Sequence, residues 1–159
     1  PFGQGGRQVL MAYLAAATNA APALWSLWVY GREELQVYPP AWSARGVALP
    51  FVRFVCCHEP LRQLKPVFLD SFFRVIFLDA PAGLAVDDCA FLAQRARAHG
   101  QAIVLLRDYF LSERRGNIWA KLRVNCWQEA AGGDLTLRVV RGLSPRQISL
   151  QPEELVKCF

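Results

Sequence analysis

The sequence predicts an α/β fold in which a mainly parallel central sheet is covered by helices on both faces and followed by a C-terminal antiparallel hairpin. Three observations lead there. Short, continuously apolar runs recur at 23–30 ("ALWSLWVY"), 51–57 ("FVRFVCC"), 74–79 ("RVIFLD") and 102–108 ("AIVLLRD"), as strands buried on both faces do. Segments of helical composition stand between them, the alternation that produces a parallel sheet. Beyond residue 117 the pattern changes to alternating apolar and polar positions, the period of a strand with one solvated face.

Taken in order, residues 7–18 ("RQVLMAYLAAAT") are strong helix formers, apolar nearly all round, which suits a helix buried against a sheet. The aromatic run at 23–30 reads as a central strand. A loop with Pro39 and Pro40 leads to a short helical stretch stopped by Gly46, and 51–57 is the next strand. Residues 60–72 read as a helix interrupted or started by Pro66, and 74–79 as a strand ending in Asp79. At 85–100 the acidic residues come early, the basic ones late, and Gly100 closes an amphipathic helix. The strand at 102–108 completes the parallel set. Residues 117–128 and 135–142 alternate and are joined by "EAAGGD", a hairpin extending the sheet antiparallel.

With 159 residues, the chain is sized for one domain spanning 1–159. An apolar fraction of 53% with five Trp and ten Phe supplies a well-filled core, and a charged fraction of 19% argues against extended disorder. No apolar run reaches the roughly 20 residues of a membrane span. The start at "PFG" lacks a secretory pattern and a methionine, which points to a trimmed or truncated product. The five cysteines, Cys56, Cys57, Cys89, Cys126 and Cys158, form no C-x-x-C pair, so neither a zinc site nor a disulfide framework is signalled and a reducing compartment is expected. Net charge is +5; residues 1–94 balance seven basic against seven acidic groups, so the whole excess lies in 95–159, with eleven against six. That asymmetry fits a contact surface for nucleic acid or an acidic protein, or a solvated basic face.

The opening "PFGQGGRQVL" invites comparison with a phosphate-binding loop, G-x-x-x-x-G-K-[ST]. There glycine amides cradle phosphates, a lysine reaches the outer ones and a hydroxyl holds magnesium. Here Gly3, Gly5 and Gly6 are present, but Arg7 and Gln8 stand where lysine and the hydroxyl belong. A guanidinium is bulkier than an ammonium, and a carboxamide is no substitute for a small magnesium ligand. By motif alone the stretch is a turn before a helix.

The order of elements resembles the RecA-type ATPase core: glycine loop, helix, strand, loop, strand, helix, apolar strand ending in Asp, helix, strand and terminal hairpin. "LWVYGREELQVYPPAWSARGVALPFVRFV" is similar to the segment in which that family's strand delivers an acidic residue. "RVIFLDAP" resembles its Walker B strand, and "LTLRVVRGLSPRQISL" its closing strand pair. Within the superfamily, "GGRQVL" and "VYPPAWSARGVALPFVRFV" are similar to the ImuA family, RecA-like accessory proteins of bacterial translesion synthesis. "APAGLAV" is too short for the first DNA-binding loop of recombinases, and the second is represented at most by "YFLSERRGN".

The resemblance implies a RecA-like domain with a degenerate phosphate loop (Gly3, Gly5, Gly6, Arg7, Gln8), a Walker B-like Asp79 and a vestigial catalytic-glutamate position at Glu33 or Glu34. It implies a protein that is not an enzyme, holds no cofactor or metal, and acts in the cytoplasm in the SOS response by binding RecA and the polymerase-like ImuB, with self-association a further expectation. The alternatives are a working ATPase or a single-stranded DNA-binding protein. Glu33 and Glu34 equally read as solvated loop residues. Arg114, Arg115, Lys121 and Arg123, with Tyr109, Phe110 and Trp119 nearby, form the candidate contact for nucleic acid or a partner. His58 follows a strand as an ordinary loop residue, and His99 is a cation at a helix C-terminus.

Overall fold

The computed structural model describes residues 5–31, 37–81, 83–128, 133–142, 146–151 and 154. The apolar runs form four strands: β1 (Ser26–Tyr30), β2 (Val52–Cys56), β3 (Val75–Asp79) and β4 (Ala102–Leu106). All pair in parallel, in the order β2-β1-β3-β4, with Trp28 opposite both Phe54 and Phe77 and Asp79 opposite Tyr30 and Leu106. Residues 14–106 form one compact unit; the stretch up to Tyr13 and the stretch from Arg107 onward form a second.

Side chains alternate across the parallel sheet, so each face has its own core. Leu27, Val29, Ile76 and Leu78 share one face with Phe68 and Leu92. These last two belong to α4 (Lys65–Leu69) and α5 (Val86–His99). On the other face Trp28 stacks on Phe77 at 4.9 Å and meets the edge of Trp42 at 4.7 Å. Trp42 belongs to α2 (Pro39–Ser43) and also packs on Phe54 at 5.0 Å. Helices therefore cover both faces, and each fully buried large apolar side chain contributes about 1.5–3 kcal/mol.

Local chemistry sets the helix ends. Helix α1 (Gly6–Thr18) opens with the amide of Val9 donating to the carbonyl of Gly5. At the start of α5, Asp88 accepts the Ala85 amide at 2.9 Å; at its end Gly100 adopts φ 61°, a left-handed conformation that glycine tolerates. The helix expected over 60–72, interrupted or started by Pro66, is two short ones, α3 (Pro60–Gln63) and α4: Pro66 offers no amide and its ring crowds the carbonyl four residues back.

The antiparallel part departs from expectation in two ways. Strands β5 (Arg123–Gln128), β6 (Leu135–Arg141) and β7 (Gln147–Leu150) form a separate three-stranded sheet, β5-β6-β7, instead of extending the parallel one. A loop over 107–122 intervenes, and β5 finds its ladder partner in β6, with Gln128 opposite Leu135. Residues 117–122, expected as strand, belong to that loop. Asn117 turns the chain, its Oδ1 accepting the Trp119 amide at 2.9 Å and its carbonyl the Ala120 amide at 3.1 Å.

Candidate functional site

Gly5, Gly6, Arg7 and Gln8, from the stretch compared with a phosphate loop, lie in the second unit. Gly5 has φ 134°, and a Cβ there would collide with Leu135 Cδ1 of β6, so the position requires glycine for both backbone and space. Gly5 and Gly6 are buried. Gln8, in the first turn of α1, donates from Nε2 to Oε1 of Gln128 at 3.3 Å, and the buried Gln128 donates to the carbonyl of Gly133 at 2.9 Å. Gln8 therefore ties α1 to β5. Arg7 is half-buried beside it. Gly3, Glu33, Glu34 and Cys158 lie outside the described residues.

In the other unit, the carboxyl ends of β1 and β3 flank the point where the strand order reverses, the place where open parallel sheets receive ligands. Asp79 ends β3 there and is 3% exposed. The next residue, Ala80, is held at φ 48° with its amide donating to the Leu106 carbonyl at 3.1 Å. On the β1 side the Tyr30 carbonyl accepts the Cys57 amide at 2.8 Å, and a Cβ on Gly31 would stand 3.4 Å from the Cys57 carbonyl oxygen. Cys57 donates from Sγ to Gln63 Oε1 at 2.7 Å, and burial pushes its thiol pKa up. His58 is exposed past the end of β2, and its neighbour Glu59 pairs with Arg62 at 3.1 Å on the surface. No group of three or more His, Cys, Asp or Glu side chains among the described residues is arranged to hold a metal.

The cationic candidates separate by exposure. Arg114, Arg115 and Lys121 are exposed. Arg115 lies over the ring of Tyr109, 4.4 Å from its centroid. Arg123 is 3% exposed and turns inward: Nε donates to the Asn117 carbonyl at 3.0 Å, Nη1 to Ser112 and Glu113 at 3.1 and 3.2 Å. It organises the loop instead of facing solvent. Asn125, unmarked in the sequence reading, clasps Leu111 through both amide groups at 2.8 and 2.9 Å. Its only signal was a polar amide inside a strand, where such residues are depleted. Phe110 packs on Trp127 at 5.6 Å, so of the aromatic residues around this loop Trp119 is the one that faces solvent, at 46%.

An open depression of about 640 Å³ is lined by Lys65, Pro66, Leu69, Asp70, Ser71 and His99. His99 is the last residue of α5, and its carbonyl accepts Arg74 Nη1 at 3.1 Å. Its Nε2 is buried and has no hydrogen-bond partner among the described residues.

No helix among the described residues is long and apolar enough to cross a membrane. No protein-family model matches the chain, and no curated protein matches it.

Proposed function

We propose that this chain is a RecA-like accessory module that has lost nucleotide chemistry and acts by protein contact in the bacterial DNA-damage response. Its partners are RecA and the polymerase-like ImuB of mutagenic translesion synthesis, and its place of action is the cytoplasm. The observation that carries the reading is the Gln8–Gln128 hydrogen bond at 3.3 Å. Where an active loop needs a small hydroxyl free to reach magnesium, this chain has a carboxamide engaged in packing. Phosphoryl transfer depends on positioning the phosphates, and the glycine turn alone supplies no anchoring cation or metal ligand. The parallel sheet with Asp79 at the end of β3 agrees with the order of a RecA-type core.

A second reading has its own support: the buried Asp79 ends β3 at the strand-order reversal, where an open parallel sheet receives a ligand and an ATP-binding protein would keep a carboxylate. Calorimetric titration with Mg-ATP at moderate salt separates the two. The accessory reading expects no heat and no thermal stabilisation, together with co-purification of RecA or ImuB. Saturable Mg-ATP binding replaces it with the ATPase reading, and failure to retain either protein removes the partner assignment.

A further inference from the structure

The loop between β4 and β5 holds three apolar side chains out in solvent on a fixed frame. Ile118, Trp119 and Leu122 are 57, 46 and 52% exposed. Scattered exposed apolar residues are ordinary, but three within one short turn mark a contact surface. The turn is anchored from several sides. Arg123 and Asn125 hold its backbone at Leu111, Ser112, Glu113 and Asn117. Arg141 of β6 donates to the Ile118 carbonyl at 2.7 Å. Gly142, at φ 112°, lets the end of β6 approach so closely that a Cβ would collide with the Lys121 carbonyl oxygen. Side chains on a backbone already ordered are cheap to immobilise on binding.

The charge around the turn is mostly positive. Between Tyr109 and Arg123 the sequence carries Arg114, Arg115, Lys121 and Arg123 against the single acidic Glu113, within a C-terminal part that holds the whole positive excess. Arg114, Arg115, Lys121 and Arg141 are exposed.

We propose that this turn is a docking surface for an acidic, amphipathic segment of a protein partner. Apolar residues of that segment cover Ile118, Trp119 and Leu122, and its carboxylates meet Arg114, Arg115, Lys121 and Arg141. The side-chain chemistry favours a protein over a nucleic acid: Trp119 can stack on a base, but Ile118 and Leu122 offer a base or phosphate nothing and an apolar partner face a great deal. The inference stands on the turn itself and does not require the RecA-like reading.

The test measures fluorescence anisotropy of two labelled probes at low and high salt. One is an amphipathic helical peptide with Leu and Phe on one face and Glu and Asp on the other; the second is oligothymidylate. The expected result is saturable peptide binding that weakens with salt. It falls about tenfold in the double variant Trp119→Ser, Leu122→Ser and again in Arg114→Ala, Arg115→Ala, with circular dichroism unchanged in both. Ile118→Asp alone provides a second apolar disruption that leaves the buried frame intact. Absence of saturable peptide binding, or equal binding by the folded variants, overturns the proposal. Tighter binding of oligothymidylate than of peptide, lost in the same variants, reassigns the turn to single-stranded nucleic acid.

Discussion

Gln8 and Gln128 meet side chain to side chain across 3.3 Å, from the first turn of α1 to the last residue of β5. Gln128 also donates to the Gly133 carbonyl, so the pair closes a polar chain against the end of the β5–β6 connection. Gln8→Ala leaves the Oε1 of a buried amide without its donor, which costs about 1 kcal/mol. The midpoint of urea unfolding should move down accordingly, with the slope unchanged. A variant as stable as the parent would remove the structural role assigned to Gln8.

Arg123 carries a larger load. Three backbone carbonyls share one guanidinium that is almost wholly buried. Hydrogen bonds from a charged donor contribute about 1.5–3 kcal/mol each, and they are not additive. Arg123→Ala is therefore expected to destabilise by about 3 kcal/mol and to open the 111–117 segment to limited proteolysis. Arg123→Lys should rescue little, since an ammonium cannot reproduce the planar fork. Mass spectrometry of the first proteolytic fragments reads the outcome; cleavage at the parent's sites and rates in Arg123→Ala would refute it.

These two residues show what was legible in the sequence and what was not. The parallel strands could be read because β1 and β3 are buried on both faces, and burial of that kind leaves an unbroken apolar run. Helix α5 could be read because its charges follow its dipole and Gly100 ends it. Residues 117–122 misled because "NIWAKL" alternates as a strand does. The turn is decided by the Asn117 side chain and by contacts from β5 and β6, which arrive from elsewhere in the chain. Arg123 sits in that same alternating pattern, where arginine reads as a solvent-facing residue. Its inward orientation depends on carbonyls presented only once the loop has folded back. The partner of Gln8 lies 120 residues away, beyond any local signal.

Trp28 occupies the centre of the aromatic face, 1% exposed between Phe77 and Trp42. Trp28→Ala should cost about 3–5 kcal/mol, enough to unfold a domain of ordinary stability. Trp28→Phe keeps the stack on Phe77 and should leave a folded protein of lower melting temperature. Near-ultraviolet circular dichroism follows both, since closely packed aromatic rings give a structured signal. Retention of that signal in Trp28→Ala would contradict the placement of this residue at the core.

The cysteines differ by surroundings in a way that alkylation can measure. Burial pushes the Cys126 thiol up to about 11 and raises that of Cys57, whereas Cys56 is exposed on the edge strand β2. At pH 8, iodoacetamide should modify Cys56 before Cys57 and Cys126, which lag in the peptide map. The same shift has a consequence for stability. Because the folded-state pKa of Cys126 lies above the ordinary 9.0, the neutral thiol is favoured by folding, and its contribution is complete below pH 9 and lost as pH rises toward 11. Over that window the loss is on the order of 2 kcal/mol. Cys126→Val keeps the volume and removes the ionisation, so parent and variant should differ more in unfolding free energy at pH 10.5 than at pH 8, with the variant gaining. Parallel curves for the two proteins across that range would show that the thiol titrates normally and that β5 packs less tightly around it than the structure shows.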